Sequence, residues 1–234
     1  MKNQTHRNWL WQGLMATALF VAVGLSTAHA ASPFQAGDFV RIPELGGLEV
    51  QKNEITYDQW NALNALLPPE NRTPWKAQDC SFKEFIAKGF GPKYAAACIS
   101  FDDAEAYIRV LNPQDPNYTY RLPTDKELRA LVDLTLGALR SNGSISDERL
   151  SRHAWYYPIS NNHAHEVCTT GGTVSGLCDI LGNVWEWTST PEGSDRVLRG
   201  GSWDNGASYL RFGFRDGLGP GVRSHLVGFR LVRR

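Results

Sequence analysis

Asp179-Ile-Leu-Gly-Asn-Val-Trp-Glu-Trp187 places two carboxylates, two turn-forming residues and two tryptophans within nine positions. Gly182 and Asn183 tolerate the left-handed backbone of a tight turn. The run is therefore expected to bend sharply after Leu181 and to re-emerge with Trp185 and Trp187 on one side and Glu186 on the other. Such a bend can turn the carboxylates of Asp179 and Glu186 and the carbonyls of Gly182 and Val184 toward one hard cation, since calcium accepts several oxygen ligands at flexible geometry. The spacing is not that of an EF-hand, and a tryptophan-anchored turn with solvated acids is the competing arrangement.

Downstream of this block the chain reads as short strands entered through glycines. Val197-Leu-Arg-Gly-Gly-Ser-Trp203, Tyr209-Leu-Arg-Phe-Gly-Phe-Arg215 and Val227-Gly-Phe-Arg-Leu-Val-Arg233 each set arginines and aromatics on alternate sides. Upstream, Phe39-Val-Arg-Ile-Pro43 and Leu48-Glu-Val-Gln51 alternate as half-buried strands do. Thr56 is placed to cap a helix with Tyr57, Trp60, Leu63 and Leu67 on one face, stopped by Pro68-Pro69. Asn71 to Pro92 lacks periodicity and reads as a loop tied down by Cys80.

Two further helices are expected after Ser100 and Thr124. Each has a carboxylate three positions on, at Asp103 and Glu127, to close a capping box, and Ala104, Tyr107 and Leu111 form the apolar stripe of the first. Acids in such first turns serve the helix dipole rather than catalysis. From Ala138 to Gly176 the chain is irregular, and His163 and His165 form a His-x-His pair that suits either a transition metal or a solvated loop. There is no serine in a nucleophile elbow and no phosphate-cradling glycine loop.

Residues 1–30 have the three parts of a secretory signal: Lys2 and Arg7, the apolar run Leu14 to Leu25, and Ala28-His29-Ala30 as a small-x-small cleavage site. The mature chain, residues 31–234, is then about 200 residues long, one domain's worth, with no later stretch apolar enough to span a bilayer. With 24 Lys plus Arg against 24 Asp plus Glu, charge balance gives no reason to expect nucleic acid as a partner. Plentiful glycine, proline and tryptophan point to a loop-rich fold with large aromatic anchors. Cys80, Cys98, Cys168 and Cys178 all lie in the exported part, where an oxidising compartment favours disulfides. Pairing Cys80 with Cys98 and Cys168 with Cys178 is one of three connectivities and closes the shortest loops. A zinc site is the competing arrangement, although the spacings are not C-x-x-C-like.

The ordered motifs Tyr120-Arg-Leu-Pro-Thr124, Leu181-Gly-Asn-Val-Trp-Glu-Trp187, Arg199-Gly-Gly-Ser-Trp203 and Gly228-Phe-Arg-Leu-Val232 resemble the sulfatase-modifying-factor family, founded by the formylglycine-generating enzyme. Glu54-Ile-Thr-Tyr-Asp-Gln-Trp60 and Ser100-Phe-Asp-Asp-Ala104 look like its earlier blocks. The resemblance implies an α+β, complex C-type-lectin-like fold with little regular secondary structure, and a structural calcium held by Asp179, Gly182, Val184 and Glu186. The family's second calcium site has no matching segment between Tyr157 and Cys178.

The catalytic apparatus does not carry over. The family's oxidase binds copper through a cysteine pair, and Phe212 stands where the first thiol would be, with no cysteine anywhere after Cys178. A phenyl ring offers no thiolate to a metal. The resemblance then implies an exported, non-catalytic binder in the periplasm, whose former substrate groove is lined by Trp203, Arg211, Phe212 and Arg215. Relatives of this kind act as activators in the threonine-phosphorylation pathway of type VI secretion. The expected partners are the periplasmic part of a membrane-spanning Ser/Thr kinase or an envelope lipoprotein. The alternative is a periplasmic enzyme of siderophore maturation, of the kind that also lacks the cysteines.

Overall fold

A computed structural model describes residues 32–65, 80, 90–157 and 159–234. The signal-peptide reading, Leu67, Pro68-Pro69 and most of the Asn71–Pro92 loop lie outside the described residues. Each helix foreseen from a capping pattern begins at its predicted cap. α1 (Tyr57–Asn64), α2 (Phe101–Gln114) and α3 (Asp125–Leu139) start after Thr56, Ser100 and Thr124, and each closes a reciprocal capping box with the third residue on. Ala104, Tyr107 and Leu111 of α2 are buried as their spacing requires.

The strands of the described residues form three sheets. β1 (Phe39–Ile42), β2 (Leu48–Gln51), β10 (Val232–Arg233) and β3 (Tyr120–Arg121) make an antiparallel sheet in the order β1-β2-β10-β3, so the two ends of the described chain are sewn together. β4 (Ala154–Trp155) and β5 (Leu181–Gly182) pair in parallel. The third sheet, in the order β8-β7-β6-β9, contains β8 (Arg215–Leu218), β7 (Asp195–Arg199), β6 (Trp185–Glu192) and β9 (Val227–Gly228).

Three expectations are corrected here. Tyr209–Arg215 is not one strand: Ala207–Arg211 forms the short helix α5 and only Arg215 enters β8. Leu210, fully buried, anchors that helical turn, and burying one residue in five suits a helix where alternate burial would suit a strand. Val227–Arg233 is likewise two fragments in different sheets, β9 and β10, and the crossing between them carries Arg230 through the interior. The segment expected to be irregular also holds a short helix, α4 (Asp147–Ser151).

The large apolar cluster lies between α1, α2 and the third sheet, with Trp187 fully buried and its indole N–H donating to the carbonyl of Ile99 at 2.8 Å. A second cluster packs α3 against β2, β10 and α5. Both disulfides form as paired from the sequence, Cys80 with Cys98 and Cys168 with Cys178, with Cα atoms 5.5 and 5.1 Å apart. None of the four cysteines is free, which leaves no thiolate for zinc or copper.

Candidate functional site

The Asp179–Trp187 block bends as its residues dictate. Asp179, Gly182 and Asn183 all take left-handed backbone, at φ 53°, 77° and 56°, and reverse the chain between β5 and β6. Beyond the bend, Trp185 and Trp187 enter the large apolar cluster. Glu186 points the opposite way, as period-two alternation demands, and there it meets Arg230.

Arg230 is the hub of this interior. Its Nε donates to both Glu186 oxygens at 2.9 and 2.8 Å, and Nη2 donates to Oε1 at 2.7 Å. Nη1 reaches the carbonyls of Gln51 and Lys52, and Nη2 also reaches those of Cys178 and Asp179. One guanidinium thus joins β2, the disulfide-flanked turn and β6. It is fully buried, which is tolerable because nearly every N–H has a partner in fixed fork geometry.

Two other carboxyls share this interior without such partners. Asp179 is 2% exposed; its Oδ2 accepts from the Cys168 N–H at 2.6 Å, while its Oδ1 has no hydrogen-bond partner among the described residues. Glu54, fully buried just before the α1 cap, has neither oxygen partnered among the described residues. Burial pushes the Asp179 carboxyl up to about 6 against the pull of the Cys168 N–H and of Arg230. Burial, reinforced by the nearby Asp179 charge, pushes Glu54 well above the usual carboxylate range, which favours its protonated acid. Neither Glu54 nor Arg230 was singled out as a site residue from the sequence. A charge lodged in an apolar run, as in Phe229-Arg-Leu-Val232, is the available signal for Arg230, whereas Glu54 has only its place at the head of the Glu54–Trp60 block.

The orphaned Asp179 Oδ1 is the observation that fits a hard cation: a bare carboxylate oxygen, shielded from solvent, beside the bend that carries Gly182 and Val184. Glu186 could contribute only by sharing oxygens that already accept from Arg230. No three His, Cys, Asp or Glu side chains among the described residues are grouped as a metal site. His163 and His165 lie side by side, ring centroids 4.3 Å apart, with His165 stacked on Trp155 at 3.7 Å and bonded to the Ser160 carbonyl.

The four residues expected to line a groove divide sharply. Trp203 is 2% exposed and packs with Ala95, Ala97, Ala164 and Val184, so it is core and lines no surface. Its backbone N–H donates to the Asn183 carbonyl, which draws the indole inward behind the bend. Phe212 is the reverse, 73% exposed and flanked by exposed Tyr209 and Phe214. Arg211 pairs with Asp147, and Arg215 with Glu192 at 2.5 Å.

The outward display of Phe212 and Phe214 has a packing cause. Gly213 has φ 59°, and a Cβ there would lie 2.9 Å from Val132 of α3, so the backbone itself presses on that helix and the two phenyl rings turn away. Arg199 locks the arrangement: its Nη1 donates to the Gly213 carbonyl at 2.8 Å, and its Nε to Asp125 in the first turn of α3 at 2.6 Å. A shallow cavity of about 570 Å³ beside this face is lined by Lys126, Arg129, Phe212 and Phe214 among others.

The three small sheets, their bend-rich connections and the helices at their flanks define the formylglycine-generating-enzyme-like α+β fold. Residues 40–234 match the Sulfatase-modifying factor enzyme 1-like domain, and the chain belongs to that family. A stretch of 64 residues is 47% identical to inactive C-alpha-formylglycine-generating enzyme 2 of Mus musculus, covering 24% of this chain and 21% of that protein. Another of 86 residues is 35% identical to hercynine oxygenase of Mycolicibacterium thermoresistibile, covering 26% and 19%. The matched stretches therefore span about a fifth of those relatives' length, 21% and 19%. Among solved structures, Treponema denticola variable protein 1 superposes with TM-score 0.60 at 24% identity, over 80% of this chain and 84% of that one. PvdO from Pseudomonas aeruginosa gives 0.61 at 20% identity, over 80% of each chain. These two likenesses are of fold.

Proposed function

We propose that this chain is an exported, non-catalytic member of its family that works by protein-protein contact, as an activator upstream of a membrane-spanning Ser/Thr kinase in the threonine-phosphorylation pathway of type VI secretion. The observation that carries this reading is the exposed aromatic face of Tyr209, Phe212 and Phe214, at 48, 73 and 47% exposure, where the family's oxidases would carry a thiol. Aromatic and arginine side chains dominate the energetics of protein contacts, and an apolar cluster of this kind is costly to leave in water. The disulfide pairing of all four cysteines supports a periplasmic location, and the match to a relative named as inactive supports a role without oxidation.

The partner under this reading is the periplasmic part of the kinase or an envelope lipoprotein, and the groove is the Phe212 face without Trp203. A structural calcium would stabilise the bend at Asp179, with Gly182 and Val184 carbonyls and Glu186 completing the set. The test is capture of the purified kinase periplasmic region and of the lipoprotein by wild-type chain and by Phe212→Asp. Capture by the wild type and its loss in the variant supports the reading. Equal capture by both, or oxygen consumption with turnover of a siderophore precursor, would overturn it.

A further inference from the structure

A second cleft shares no lining residue with the Arg230 hub or the cavity beside Phe212. It is about 720 Å³ in volume, within the size range of small-molecule sites. Its floor is the end of α3 at Leu139, one side is α4 and the turn after it, with Arg149, Arg152 and His153, and the facing wall is the Thr170–Val174 loop. None of the described lining residues is acidic, and Arg149, Arg152 and His153 stand opposite the Thr170–Val174 loop.

The cleft is built rather than open by accident. Arg149 Nη1 donates to the Leu139 carbonyl at 3.4 Å, which covers the negative end of α3 and leaves four more N–H groups on that fork. His153 is fixed by its Nδ1, which donates to the Arg149 carbonyl at 3.0 Å. The facing loop is held close: a Cβ at Gly172 would lie 2.3 Å from the Arg152 carbonyl oxygen and 2.5 Å from the His153 ring. That loop is closed at its base by the Cys168–Cys178 disulfide and within by paired bonds between Val174 and Leu177. Arg152 pairs with Glu148 at 2.9 Å, but at 61 and 81% side-chain exposure this is a solvated pair that yields readily to a better acceptor.

We propose that this cleft binds a small organic molecule through a phosphate group, held by the Arg149 and Arg152 forks. Planar guanidinium forks match the paired oxygens of a phosphate, and the remaining volume takes the organic part. This site is independent of the docking reading above.

The test is calorimetric titration of the full exported chain, at constant ionic strength, with inorganic phosphate, glycerol 3-phosphate and neutral glycerol. Glycerol 3-phosphate is expected to saturate with a dissociation constant of about 1 mM or tighter, inorganic phosphate to bind more weakly, and glycerol to be silent. Arg149→Gln with Arg152→Gln should weaken the monoester at least about tenfold. Arg152→Gln alone, at a solvated side chain where folding is not at stake, should weaken it about threefold. Absence of saturation by the monoester, equal heat from glycerol, or undiminished binding by the Arg152→Gln protein overturns the proposal.

Discussion

Arg230 and Glu186, 44 residues apart in sequence, meet as a fully desolvated pair in which the Arg230 Nε reaches both carboxylate oxygens at 2.9 and 2.8 Å. Removing one partner strands the other charge in the interior. Arg230→Met is expected to lower the unfolding free energy by about 3 to 5 kcal/mol in urea titration. Adding Glu186→Leu should recover part of that loss, and only part, because the carbonyls of Gln51, Lys52, Cys178 and Asp179 stay without their donor. A loss below about 1 kcal/mol for Arg230→Met would show that the hub does not hold the sheets together.

Calcium should raise the melting temperature in a concentration-dependent way, since a ligand bound only by the folded state stabilises it, by about 2.7 kcal/mol at a hundredfold excess over its dissociation constant. Asp179→Ala removes the oxygen that has no other partner among the described residues and should abolish the calcium-dependent part. An EDTA-treated wild-type protein that melts at the same temperature with and without calcium refutes the site.

Acid should weaken the start of α3. Burial alone would raise the Glu127 carboxyl, but the Arg121 fork at 2.7 and 2.8 Å and the Thr124 cap outweigh it and hold the group down to about 2, from an ordinary 4.5. A carboxyl with a depressed folded pKa contributes stability that is complete above pH 4.5 and is lost as pH falls toward 2. With Arg121 38% exposed, solvent screening limits the contribution to about 1 kcal/mol. Glu127→Gln should therefore lower stability at pH 7 by about that amount and flatten its decline between pH 4.5 and 2. An unchanged acid limb in this variant would contradict the assignment.

Trp203 and Phe212, both expected at one surface, should separate by stability. Trp203→Ala opens a cavity in the core and is expected to cost about 3 to 5 kcal/mol, whereas Phe212→Ala, at 73% exposure, should change stability by less than about 0.5 kcal/mol. Gly213→Ala belongs with the first: its Cβ would sit 2.9 Å from Val132 at φ 59°, for a loss of about 2 kcal/mol by thermal melting. Similar losses for Trp203→Ala and Phe212→Ala would undo the division between core and face.

Local hydrogen bonds explain what could be read in advance. The caps at Thr56, Ser100 and Thr124 are satisfied by residues three positions away, so their partners lie in the same short stretch of sequence. The bend at Gly182 and Asn183 and the opposition of Glu186 to its flanking tryptophans are equally local, set by left-handed backbone and strand alternation. The disulfide pairing also followed from chain proximity, at separations of 18 and 10 residues.

The amino-acid sequence alone determined the family, the α+β class, the caps, the tryptophan-bearing bend and the absence of a thiol at position 212, because each depends on residue identity or on neighbours a few positions away. Tertiary structure alone decided that Trp203 turns inward and Phe212 outward, that Tyr209–Arg215 begins as a helix, and that Glu54, Asp179 and Glu186 share one interior with Arg230. The physical reason is that burial belongs to the packed whole. A side chain's exposure, and the charge it must meet when desolvated, depend on strands brought together from residues 48 to 233, and no local pattern of residues encodes that meeting.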